Sequence, residues 1–325
     1  MSGLLGRGYS GGHITLIFTV EDEADELTEQ GSLGAGICLK DGVEVITRGI
    51  EGEGRIEVSF FGNKGDSGMY IHALQIIGKI LPEILEYDWE VTVKLGLPTG
   101  QGFGMSAAGS IAFCDSLQRA VGIPYEESKR RSLLVAHLVD RERSSGLGDV
   151  TALATGGVVI RKSPGSPYSG HLLDRGPGES VGWSSDSDII LTWNNQYSKH
   201  TSTYIEDSEW KSAITKSGNK NLRGLLEGVW DNSRWHDLVT SSESFSLDSG
   251  LSGESARANV LNICKSSILD VGMAEEVIPL LCMLGTSVAI VPRDINYNLT
   301  NPERIVRKLN ENGLTAVISR IGQIL

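Results

Sequence analysis

Between Lys94 and Leu117 the chain reads KLGLPTGQGFGMSAAGSIAFCDSL, and this stretch restricts the fold more than any other. Val91, Val93 and Leu95 alternate as in a strand, glycines follow at 96, 100, 102 and 104, and from Ser106 small residues run as a helix pattern. Glycines lacking Cβ let backbone N–H groups turn inward on an anion, and a helix start at Ser106 adds free N–H groups and a positive dipole end. A phosphate suits such a segment. The loop lacks the lysine of GxxxxGK[ST], and Gly100, Gly102, Gly104 and Gly109 miss the GxGxxG spacing. On glycine content alone, a tight structural turn reads the segment equally well.

The remaining composition narrows the choice. With 325 residues the chain can bury a large core and hold two domains. Its net charge of −12 argues against nucleic acid, because Lys129, Arg130 and Arg131 make only a short run on a helix pattern. No stretch approaches the ~20 apolar residues that span a bilayer, and HITLIFTV is too short and badly flanked for a secretory signal. Cys38, Cys114, Cys264 and Cys282 stand far apart without a CxxC pair, and the six histidines include no HExxH or HxH grouping. Reduced buried thiols in a cytoplasmic protein are expected, and a structural zinc is not.

Read in order, Ile14 to Val20, Val43 to Thr47, Ile56 to Phe61 and Trp89 to Leu95 are strand patterns, and Met69 to Leu81 is an amphipathic helix that Pro82 ends. Pro124 suits a first helical position, and a helix is expected over Tyr125 to Glu142. On it His137 and Asp140 lie three apart, on one face. Ser163 to Ser187 is rich in Gly, Pro and Ser and suggests a joint, with Asp188 to Trp193 a strand beyond it. Leu222 to Leu238 reads as one helix or two, Ala274 to Leu284 as an apolar helix, and Asn301-Pro302 as the cap of a helix ending near Gly313, before a strand over Thr315 to Ser319. Mixed patterns without a repeating βαβ unit favour an α+β architecture.

Pro98, Gly100, Gly102, Gly104, Ser106, Ala107 and Ala108, in PTGQGFGMSAAG, resemble the ATP-binding motif of the galactokinase, homoserine kinase, mevalonate kinase and phosphomevalonate kinase (GHMP) superfamily, usually P-x-x-x-G-L-x-S-S-A. Within it the string GQGFGMSAAG looks most like the archaeal pantoate kinases. Gly11-Gly-His-Ile-Thr resembles their opening Pro-Ala-His-Ile-Thr with two glycines substituted, and Gly146-Leu-Gly-Asp-Val resembles their loop after the second helix. Met283-Leu-Gly-Thr-Ser resembles a reduced third superfamily motif.

The resemblance implies an N-terminal ribosomal-protein-S5-like domain over 1–165 and a C-terminal ferredoxin-like domain over 166–325, with ATP and Mg²⁺ between them. It further implies that Gly100, Gly102, Gly104, Met105, Ser106 and Ala107 bind the nucleotide, and that Ser106 and Asp140, where the family more often has Glu, hold magnesium. Asp149 becomes the catalytic carboxylate, and His13, Ser32, His137 and Arg161 hold the acceptor, Arg161 by its carboxylate. Structurally, Ser32 also reads as a turn serine, His137 as a core histidine and Asp149 as a helix cap. The implied activity is phosphorylation of a primary hydroxyl on a small branched hydroxy acid, pantoate first and mevalonate 3-phosphate second. A non-catalytic nucleotide sensor is the alternative of another class. A homodimer is the expected assembly.

Overall fold

A computed structural model of the chain describes residues 3–62, 65–195 and 202–324. The first sheet starts with a long antiparallel pair, β1 (Leu4–Phe18) on β2 (Gly34–Glu51), followed by β3 (Ile56–Phe61), helix α1 (Ser67–Ile80) and β4 (Tyr87–Leu95). Helices α2 (Met105–Ala120), α3 (Tyr125–Glu142) and α4 (Asp149–Leu153) then lead to β5 (Val158–Ser163). A two-residue ribbon, β6 (Tyr168–Ser169) with β7 (Asp174–Arg175), precedes β8 (Glu179–Trp183). The sheet runs β3-β4-β2-β5-β8, with β1 also on β2.

β1 changes character midway. Its first half alternates buried and exposed residues, whereas His13 to Phe18 is buried throughout. That half is covered on both sides, so Ile14, Leu16, Ile17 and Phe18 are buried on both faces of the strand. From the second domain, Phe18 meets the Phe245 ring edge-on at 5.7 Å, and the Val20 N–H donates to Thr215 Oγ1 at 3.1 Å. Register shifts between Gly11 and His13 and between Thr15 and Ile17 bracket the two polar side chains of this half. Such bulges redirect side chains, often beside functional sites.

The second sheet holds β9 (Asp188–Trp193), followed by α5 (Ser202–Ile205), α6 (Ser208–Leu222), α7 (Trp235–Asp248) and α8 (Ser255–Asp270). It continues with β10 (Val277–Leu281), β11 (Ser287–Pro292), α9 (Glu303–Glu311) and β12 (Thr315–Arg320), and every pairing is antiparallel in the order β10-β11-β9-β12. Numbered within the domain, that order is second, third, first, fourth, the split βαβ arrangement of a ferredoxin-like fold. The α+β expectation is met. The first sheet runs past residue 165, since β8 pairs with β5 along Val158 to Ser163 and the second sheet begins at Asp188.

Three local expectations change. Val277 to Leu281 is a strand, not part of a helix over Ala274 to Leu284; it is buried on both faces, so periodicity cannot separate the two. Pro279, which has no N–H to donate, sits there on an edge strand. Leu222 to Leu238 is mostly the loop between α6 and α7, where the Arg234 guanidinium holds the carbonyls of Gly224 and Glu227 at 2.8 and 2.9 Å. Helix α9 opens after Pro302, while Asn301 takes a positive φ of 51° and does not cap it. Of the tract from 198 onward to which the sequence assigned no site, 198–201 lies outside the described residues.

Candidate active site

The glycine loop runs from β4 into α2 and is gripped from both domains. Gly102 has φ 75°, a conformation costly for any residue with a Cβ, and a Cβ there would sit 2.8 Å from the Gly285 nitrogen. From the other side a Cβ on Gly285 would overlap the Gln101 carbonyl, which also accepts a hydrogen bond from Ser287 Oγ. On the N-terminal side the His13 N–H donates to the Phe103 carbonyl at 3.0 Å. Loop, α4 start and the Met283–Gly285 turn line an open cleft. Gly100, Gly102, Gly104, Met105 and Ser106 line it; Ala107, expected with them, does not, because it faces the core at 1 % exposure.

Asp149 is the first residue of α4 and lines the cleft, with a quarter of its side chain exposed. Its Oδ1 lies 2.6 Å from His13 Nδ1 and accepts from Thr15 Oγ1 at 3.3 Å. Burial alone would raise its pKa, but the hydrogen bond and charge of His13, the Arg161 guanidinium and Thr15 outweigh it, and the carboxyl lies below its ordinary range. His13 is fully buried, and that burial pulls its pKa down against the pull of Asp149. The pair is therefore an ionised Asp149 receiving the Nδ1–H of a neutral imidazole. His13, expected on the acceptor, is instead behind Asp149 and does not line the cleft.

Ser32 and Arg161 do line it, side by side. Arg161 is 1 % exposed, its Nε donates to the Ser32 carbonyl at 3.4 Å, and burial lowers its pKa to about 10 against the opposing pull of Asp149. Gly148 covers both: a Cβ there would stand 2.5 Å from Arg161 Nε and overlap Ser32 Oγ. Arg161 Nη1 and Ser32 Oγ are each buried with no hydrogen-bond partner in the protein. A buried donor left unpaired costs roughly 1–3 kcal/mol, more when charged, so these two groups mark a place for an anion.

Asp140 lies on the last turn of α3, 3 % exposed, with Oδ1 accepting from Ser145 Oγ at 2.7 Å and Ser106 Oγ at 3.0 Å. Burial first, then the nearby charge of Asp149, pushes its pKa up to about 6, although both hydroxyls and Arg141 pull the other way. Asp140 itself is not in the cleft wall; Ser106 and Ser145 stand between. Glu142, two residues on from Asp140, turns outward to His72 Nε2 at 2.7 Å. His137, expected on the acceptor, does not line the cleft either: its Nε2 bonds the Leu27 carbonyl at 3.0 Å, and burial lowers its pKa to about 4. Thr15, Ser145, Phe18 and Ile205 escaped the sequence reading, since a lone hydroxyl or apolar residue carries no spacing signal.

A glycine loop leading into a helix, two carboxylates and a cleft faced by a second, ferredoxin-like domain together define a two-domain small-molecule kinase. Residues 71–157 match the family model of the GHMP kinases N terminal domain. The pantoate kinase of Methanocaldococcus jannaschii is 27% identical over 274 residues, 83% of this chain and 88% of that protein. The pantoate kinase of Methanospirillum hungatei is 27% identical over 81% of each. A solved phosphotransferase related to the CoA biosynthesis pathway superposes with a TM-score of 0.74 at 23% identity, covering 98% of this chain and 96% of its own. The chain thus resembles the GHMP kinases and is an ATP-dependent kinase acting on a hydroxyl group.

Proposed function

We propose that this kinase phosphorylates the primary hydroxyl of pantoate, giving 4-phosphopantoate. One observation carries the acceptor class: Arg161 Nη1 and Ser32 Oγ are buried, adjacent and unpartnered in the cleft wall beside Asp149. A carboxylate would satisfy both at once, and a charge-assisted bond to a guanidinium is the stronger kind. The names of the two archaeal relatives favour pantoate among such acids. Among the described residues lining the cleft, Arg161 is the one cationic side chain. Mevalonate 3-phosphate carries a second anionic group and would call for another.

In this reading the glycine loop and the start of α2 hold the nucleotide's phosphates through backbone N–H groups. Asp149, ionised because His13 and Thr15 donate to it, accepts the proton of the acceptor hydroxyl. The freed oxygen lone pair forms the new P–O bond to the terminal phosphorus while the bond to the bridging oxygen breaks and the nucleoside diphosphate leaves. Much of the rate in such transfers comes from alignment. Ser106 and Asp140 fit a magnesium ion: both are hard oxygen donors, and a buried carboxyl pushed up to about 6 is one that a cation would stabilise as the anion. Such an ion would neutralise charge on the phosphates.

ADP release measured over a panel of acids tests the proposal. Pantoate should give a kcat/KM at least about 100-fold above mevalonate 3-phosphate and homoserine, since binding groups left unpaired by a wrong ligand discriminate strongly. A clear preference for a phosphorylated acceptor would overturn pantoate, and tight nucleotide binding without turnover of any acid would favour the sensor.

A further inference from the structure

Arg257, on α8, does not line the cleft, and it is buried to 1 % exposure. Taking a guanidinium so far out of water costs several kcal/mol unless its N–H groups are met. Here the partners are specific. Nε donates to the Gly285 carbonyl at 2.9 Å, Nη2 to the Leu284 carbonyl at 2.5 Å and Nη1 to the Tyr204 hydroxyl at 3.0 Å, while Glu254 forms the ion pair. The Tyr204 hydroxyl in turn donates a hydrogen bond to Glu254 Oε2 at 2.9 Å, and its ring centroid lies 4.7 Å from the guanidinium carbon.

Both directions from Arg257 lead into the cleft. Leu284 and Gly285 line it, and Gly285 is the residue against which Gln101 and Gly102 of the glycine loop pack without room for a Cβ. On the other side Tyr204 is followed by Ile205, a cleft-lining residue of α5. One side chain thus fixes a wall behind the glycine loop and a wall contributed by α5.

We propose that Arg257 is a positioning residue, which holds the Leu284–Gly285 turn against the glycine loop so that the loop keeps the shape the nucleotide requires, and secures Ile205 through Tyr204. The proposal rests on the nucleotide site of the preceding section. Its test is a titration of N-methylanthraniloyl-ADP with magnesium into wild type, Arg257→Met, Arg257→Lys and Tyr204→Phe, alongside thermal melts and steady-state kinetics with pantoate. Arg257→Met should weaken nucleotide binding about tenfold or more, and Arg257→Lys, which keeps the charge and can still reach a carbonyl, should recover part of that loss. Tyr204→Phe should leave nucleotide binding within about twofold while raising the acceptor KM about three- to tenfold.

A folded Arg257→Met protein with wild-type nucleotide affinity and acceptor KM overturns the proposal, whatever its melting temperature. If that variant does not fold, unchanged affinity in Arg257→Lys overturns it. If neither folds, an unchanged acceptor KM in Tyr204→Phe does so. A wild-type protein that fails to bind the probe removes the nucleotide site itself, and this inference with it.

Discussion

Two acidic ends, one in the cleft wall and one behind it, are built on opposite terms. At one, Asp149 is partly open to solvent and ringed by donors, His13, Thr15 and the charge of Arg161, and its carboxyl is held below the ordinary range. At the other, Asp140 is buried among hydroxyls, and its carboxyl is raised to about 6. On the proposed reading the first end serves as the base and still has unpaired groups to offer a ligand, while the second, closed on itself, would gain from a cation. Two carboxylates in one fold can therefore take different tasks because their surroundings separate their protonation.

Breaking the Asp149 end should have the largest effect. Asp149→Asn keeps shape but removes the base, and turnover should fall about 10³-fold while N-methylanthraniloyl-ADP binds nearly as before; an unchanged rate removes Asp149 from the mechanism. Next, Arg161→Met should raise the acceptor KM about 30-fold or more with nucleotide affinity unchanged, because a charged hydrogen bond is lost without touching the loop. A smaller effect is expected from His13→Asn. His13 lowers the Asp149 pKa, so removing the imidazole should let that pKa rise, moving the acid limb of kcat to higher pH; a pH–rate profile that does not move would separate His13 from the base.

Asp140 sharpens the contrast because its sign is reversed. Its folded pKa, about 6, lies above the ordinary carboxylate value of 3.8, so without a cation the stability this group contributes is fully present below pH 4, falls between pH 4 and 6, and is lost above. Asp140→Asn should therefore stabilise the metal-free protein at pH 8 by up to roughly 3 kcal/mol and change little at pH 3. The same substitution should raise the magnesium concentration needed for activity. Chemical denaturation with chelator at both pH values reads the first part, and loss of stability at pH 8 would contradict it. Ser145→Ala, which deletes one hydroxyl bonded to Asp140, should cost only about threefold in activity at neutral pH, the smallest effect of the series.

Much of this was legible in the sequence where local pattern and long-range role coincide. Tyr125 to Glu142 forms the helix its spacing demands, Ile56 to Phe61 and Asp188 to Trp193 are the strands expected, and the glycine loop is bounded as the switch from period two to helical spacing requires. Ser32, Arg161 and Asp149, each singled out from the sequence, line one cleft. What failed depends on burial, which sequence spacing does not encode. Val277 to Leu281 is apolar on both faces and could not be told from a helix, and His13 and His137 bear the right chemistry but are engaged behind the cleft wall, with Asp149 and the Leu27 carbonyl. Arg257 was invisible because, apart from the nearby Glu254, its partners are two backbone carbonyls and a tyrosine tens of residues away.

A crystal structure with pantoate and a non-hydrolysable nucleotide bears most directly on the account. Its carboxylate should lie within hydrogen-bond distance of Arg161 Nη1 and Ser32 Oγ, with the primary hydroxyl facing Asp149. A carboxylate held elsewhere, with those two groups still unpartnered and the hydroxyl turned from Asp149, would contradict it.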